Sequence, residues 1–124
     1  MRPIIAVIDA DSKERHTLSA LLGAMDVEVK LYNDAESFLV QRAGAPACLI
    51  TEVRLPGISG LQLLRQLRTS GENMAVILLA SEAEVPTAVE AMRLGATDFI
   101  EKSQMDVALL RRVSQVLRDG VKRQ

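Results

Sequence analysis

Five short apolar runs punctuate the chain, and what separates them constrains the fold more than any other feature. The runs are Ile4–Ile8, Val27–Leu31, Ala47–Ile50, Met74–Ala80 and Thr97–Ile100. Most are continuously apolar and rich in β-branched residues, as strands covered on both faces are. The second alternates, with Glu28 and Lys30 between Val27, Val29 and Leu31, the pattern of an edge strand with one wet face.

Between the runs the period becomes that of a helix. Leu18, Leu21, Leu22 and Met25 form a stripe after Asp11-Ser12, and Asp11 with Glu14 is spaced as a capping box. Asn33 and Glu36 offer a similar start to a helix carrying Phe38 and Leu39. Leu61, Leu64 and Leu67 line a third behind Ser59-Gly60. Pro86 suits the first turn of a fourth, with Val89 and Met92 facing inward and Gly95 ending it. Val107, Leu110, Val113, Val116 and Leu117 mark a fifth that ends before Asp119-Gly120. Strict alternation of this kind predicts an α/β domain with a parallel sheet and right-handed crossovers.

A chain of 124 residues has room for one core. The expected domain spans residues 1–119, and 120–124 form a tail or the start of a linker to an output domain. A net charge of -1 gives no overall pull toward nucleic acid or membrane, and aromatics at 2% argue against a base-stacking surface. The longest apolar run, Met74–Ala80, is too short to span a bilayer. Asp9 interrupts the opening IIAVI before a signal-peptide core forms. Cys48, the single cysteine, lies in an apolar run and reads as a buried thiol of a reducing compartment. Together these features predict a cytoplasmic domain.

In parallel α/β sheets functional groups gather beyond the carboxyl ends of the strands. Here those ends read Asp9-Ala10-Asp11, Glu52, Ala80-Ser81 and Glu101-Lys102. Clustered carboxylates raise one another's pKa and need counter-charge. Lys102 supplies one, and a divalent cation such as Mg2+ on Asp9, Asp11 and Glu52 would supply another. Acids, lysine and metal together are the usual equipment for handling a phosphoryl group. A plain Lys102–Glu52 pair at a rim fits the same spacing.

Three segments, in order, resemble the receiver domains of bacterial response regulators. VIDADSKERHTLSALL resembles the opening of the acidic pocket, ITEVRLPGISGLQLL the phosphoacceptor strand and its loop, and VPTAVEAMRLGATDFIEKS the fourth helix through the pocket lysine. The last two are similar to the nitrogen-fixation and nitrogen-regulation branches. The resemblance implies a five-stranded flavodoxin-like sheet in the order 2-1-3-4-5.

It also brings out departures. The family's phosphoacceptor is an aspartate where this chain has Glu52. The second of its paired pocket acids, a direct Mg2+ ligand, is Ala10 here. The hydroxyl residue that senses the phosphoryl group aligns with Ala80, and Ser81 lies one place on. Lys102 is kept, but the proline that usually follows is Ser103; Phe99 matches the aromatic switch position. Ala10 takes a carboxylate from the metal site. Ala80 removes a hydrogen bond to a charged group, worth roughly 1.5–3 kcal/mol. Glu52 is one methylene longer than aspartate, and a displacement of about 1 Å already costs on the order of a hundredfold in rate.

The expectation is therefore a receiver that signals without phosphorylation, with weak or absent Mg2+ binding and no required cofactor. The alternative is a working phosphoacceptor supplied by a histidine kinase. By the same resemblance, the fourth helix, fifth strand and fifth helix form an interaction face with Glu90, Arg93, Asp98 and Arg112, for a second copy or another protein. A fused DNA-binding output domain is implied, with no nucleic-acid or membrane contact by this domain itself. Asp9-Ala10-Asp11 also resembles the DxD motif of haloacid-dehalogenase-type phosphatases, and Ser81 and Lys102 mimic two later motifs. The late Mg2+-binding acid pair is missing, for Asp106 and Asp119 are isolated. A nucleotide-binding flavodoxin would want glycines where the chain reads DADSKER.

Overall fold

The computed structural model describes residues 1–122. Its five parallel strands are β1 (Ile4–Ile8), β2 (Glu28–Tyr32), β3 (Cys48–Glu52), β4 (Ala75–Ala80) and β5 (Asp98–Glu101). They lie in the order β2-β1-β3-β4-β5, as expected, with the alternating strand β2 at one edge. The helices are α1 (Ser12–Leu22), α2 (Ala35–Gln41), α3 (Gly60–Thr69), α4 (Ala88–Arg93) and α5 (Met105–Lys122). Pairing carries β3 and β5 past the apolar residues that signalled them, through Glu52↔Leu79 and Ala80↔Glu101. Backbone hydrogen bonds, unlike burial, do not stop at a polar side chain.

Successive strand residues point to opposite faces, and two cores result. Ile5, Val7, Ile50 and Ile77 pack with Leu18 and Leu22 of α1 and Leu109 and Val113 of α5. Ala6, Ile8, Leu49 and Leu78 pack with Phe38 of α2, Leu63, Leu64 and Leu67 of α3 and Ala91 of α4. Cys48 opens β3 in the first core, fully buried between Ile5 and Ala75, and burial pushes its thiol up to about 12.

Several local expectations are corrected. Asp34, not Asn33, caps α2, accepting a hydrogen bond from the Ser37 amide at 2.7 Å. Leu63 joins Leu64 and Leu67 as a fully buried residue of α3, and Leu61 packs half-buried against the same core. The segment around Pro86 is a 3-10 turn, Glu82–Thr87, because proline disfavours α conformation in the residue before it. The α-helix that follows is six residues long and turns the small Ala91 to the sheet. Val89 and Met92, expected inside, are 62% and 49% exposed. In α5 the buried residue of the first turns is Leu109, and Val107 is exposed. That helix also runs on through Gly120, whose cost of about 1 kcal/mol against alanine does not stop a helix anchored by packing. Of the expected tail, 123–124 lie outside the described residues. No helix among the described residues is long and apolar enough to cross a membrane.

Candidate functional site

The carboxyl edge of the sheet collects the charged residues. Asp9 follows directly on β1 and is completely buried. Its backbone is fixed on both sides: its amide donates to the Tyr32 carbonyl at 3.1 Å, and the Arg15 guanidinium donates to the Asp9 carbonyl at 2.7 Å. Asp9 Oδ1 accepts the Asp11 amide at 2.9 Å. Oδ2 is buried and has no hydrogen-bond partner among the described residues.

Glu52 ends β3 with its side chain 12% exposed, and its Oε1 is in direct contact with Lys102 Nζ. Lys102, just past β5, lies 2.8 Å from Glu14 Oε2 as well. One carboxylate oxygen from each of Asp9, Glu14 and Glu52 falls within 4.8 Å of the others. The site is thus three acids around one lysine.

Glu14 stands in this group where Asp11 was expected. The Asp11 carboxylate caps α1, accepting the Lys13 amide at 2.8 Å, and the residue is exposed. Glu14 does not close the predicted capping box, because its carboxylate lies on Lys102. The signal was available: a residue in the first turn of α1 stands over the edge at which β1 has just ended, and Lys102 ends a strand of the same sheet.

Electrostatics follow from this crowding. Burial first, then the Glu14 carboxylate close beside it, pushes the Asp9 carboxyl up to about 7. The neighbouring Asp9 carboxyl first, then Lys102, holds the Glu14 carboxyl below its ordinary value.

The remaining positions give the pocket no hydroxyl from the end of β4. Ala80 is its last residue and is buried. The Ser81 hydroxyl is engaged with Glu84 Oε1 at 2.5 Å, at the start of the 3-10 turn. Glu84 also pairs with Arg54, which follows β3. Phe99 is half-buried and packs against the core on the α4 side. The proline–glycine loop after Glu52 has a physical reason. Gly57 sits at φ 74, and a Cβ on Gly60 would collide with the Glu52 carbonyl oxygen.

On the expected interaction face, Glu90 pairs with Arg65 at 2.8 Å and Asp98 with Arg112 at 3.3 Å. Arg112 also donates to the Thr97 carbonyl at 2.7 Å. Arg93 is exposed and makes no ion pair among the described residues. Beside these charges lie the exposed Val85, Val89 and Met92.

The profile of the response regulator receiver domain matches residues 5–114. The transcriptional regulatory protein FixJ of Azorhizobium caulinodans is 45% identical over 109 residues, which are 86% of this chain and 51% of that protein. FixJ of Bradyrhizobium diazoefficiens is 36% identical, with 94% of this chain and 57% of that protein covered. The chain therefore spans about half the length of these curated relatives. Among solved structures, a response regulator receiver protein from Pseudoalteromonas atlantica is 36% identical, with TM-score 0.87 over 95% of this chain and 99% of that one. Full-length FixJ from B. japonicum is 34% identical, with TM-score 0.84 over 94% of this chain and 58% of that one.

Proposed function

This chain belongs to the response regulator receiver domain family, and we propose that it signals by binding other proteins without being phosphorylated. Receiver domains are signalling modules of two-component systems. In this one, Glu52 takes the place of the phosphoacceptor aspartate. The observation that carries the reading is the direct Glu52–Lys102 pair, joined by Glu14 on the same amine. Lys102, the cation that would meet an incoming phosphoryl group, is already neutralised by two side chains. With Ala80 beside them, the pocket also lacks a hydroxyl to hydrogen-bond a phosphoryl oxygen.

A second reading, a working phosphoacceptor supplied by a histidine kinase, has one observation in its favour. The group of three carboxylates and one lysine is what a phosphoryl-handling metal site needs, despite Ala10. Its donor set, hard oxygens with one buried and unpartnered, suits Mg2+, which would neutralise developing charge when bound. The chain's own contribution would be the Glu52 carboxylate as nucleophile and Lys102 as the countercharge.

The signal would leave through α4, β5 and α5, where Glu90, Arg93, Asp98 and Arg112 surround exposed apolar side chains. The occupant we propose is a second copy or an attached output domain, DNA-binding by analogy with the transcriptional regulators the chain is similar to.

Intact-mass measurement after incubation with acetyl phosphate and Mg2+ decides between the readings. Wild type is expected to gain no phosphoryl group, whereas Glu52→Asp/Ala10→Asp gains one; Glu52→Asp alone tests the acceptor by itself. A phosphoryl group mapped to Glu52, Asp9 or Asp11 of the wild type would overturn the proposal.

A further inference from the structure

Ala10 leaves the pocket one carboxylate short, and α1 returns one. Glu14 is a helix surface residue with its side chain 34% exposed, and its carboxylate turns to lie on Lys102 and within 4.8 Å of oxygens of Asp9 and Glu52. The Asp9 side chain, wholly out of water, has Oδ2 without a donor. A lone lysine cannot answer three carboxylates: Lys102 reaches Glu14 and Glu52, and the orphan oxygen stays with Asp9. A buried polar atom without a partner costs about 1–3 kcal/mol, more when charged. A compact divalent ion would satisfy it and draw on the two flanking carboxylates together.

We infer that Glu14 is a cation ligand of this chain, binding a hard divalent ion together with Asp9 and Glu52, and that ion entry detaches Glu14 from Lys102. The inference deepens the reading above and rests on its identification of Asp9, Glu52 and Lys102 as the receiver pocket. It assigns the third ligand to the first turn of α1 instead of the loop after β1. It also makes Glu14 a two-position side chain. Without the ion it shares the lysine with Glu52; with the ion it leaves Lys102 to Glu52 alone and opens one face of the amine to an anion or a partner carboxylate. The charges support this: three carboxylates and one lysine leave an excess of two negative charges when all are ionised, matched by one divalent ion.

The test is calorimetric titration of the protein with Mg2+ alone, for wild type, Glu14→Gln and Asp11→Asn. Glutamine is a good helix former, so the fold is retained, and circular dichroism verifies it. Asparagine caps a helix as well as aspartate does. Wild type and Asp11→Asn are expected to bind alike. Glu14→Gln is expected to lose at least about tenfold in affinity, the lower range for disturbing even outer partners of a metal. In wild type, Mg2+ should also shift the Lys102 side-chain resonance in NMR spectra, as its pair with Glu14 breaks. Equal binding by Glu14→Gln, a loss in Asp11→Asn instead, or no binding by wild type at millimolar Mg2+ would each overturn the inference. The acetyl phosphate experiment is read separately. A wild type that binds Mg2+ through Glu14 and is also phosphorylated refutes the phosphorylation-independent reading alone. One that does neither refutes the Glu14 inference alone.

Discussion

Asp9 is held out of water by the backbone on either side of it, and its charge is consequently expensive. Its carboxyl keeps a proton up to about 7 in the folded chain, against 3.8 for the free group. Between those values the folded state binds the proton and the unfolded state has lost it, so stability falls as pH rises from about 4 to about 7. Replacing the acid by its amide removes that cost and keeps an acceptor for the Asp11 amide. Asp9→Asn should therefore stabilise the fold at pH 8 by on the order of 4 kcal/mol, with a flatter pH dependence. Urea melts from pH 5 to 8 with a chelator present check this, and an unchanged slope would refute the assignment. At this scale the sequence was informative about which strand ends carry acids, but less so about where each carboxylate goes. Asp11 kept its expected place as the cap and Glu14 took the pocket place, because a helix cap and a pocket compete for the same short stretch, and the Lys102 that settles the competition lies 88 residues from Glu14.

At the scale of elements, the turn from β3 into α3 is the best specified. The Ser59 hydroxyl oxygen accepts the Gln62 amide at 3.1 Å, and the Gln62 side-chain oxygen accepts the Ser59 amide in return at 2.8 Å. Gly60 lets this capped helix start hard against the Glu52 carbonyl. Gly60→Ala should cost about 1–3 kcal/mol, the usual range for forcing atoms into a packed site, and should move the Glu52 backbone with it. The denaturation midpoint and the Glu52 amide resonance measure the two effects. Ser59-Gly60 was legible because a cap is a local signal. The inward face of α4 was not. Val89 and Met92 have helical spacing, but six residues are too few for a period to select a face. The 3-10 turn imposed around Pro86 resets the phase, and Ala91 is the residue that meets the sheet.

For the whole molecule, the parallel sheet followed from the alternation of strand and helix, an edge from the one strand with a wet face, and the strand order from the resemblance to receiver domains. These are properties of the entire chain, and no single contact alters them. Among the apolar side chains left exposed after folding, Val85, Val89 and Met92 lie on the proposed output face. Self-association through it predicts that Val89→Glu and Met92→Glu raise the dimer dissociation constant at least about tenfold, as loss of a central apolar contact does. Sedimentation equilibrium reads this directly, and a wild type that stays monomeric at the highest concentrations refutes the dimer. A different property follows from Cys48. The thiol sits at one end of β3, closed in by Ile5 and Ala75, and Glu52 sits at the other end of the same strand. With no exposure and a pKa near 12, it is chemically silent until β3 parts from its neighbours. The chain thus carries its own stopwatch. Each capture of Cys48 by a thiol reagent counts one opening of the central strand, and whatever grips Glu52 in the closed state slows the ticking.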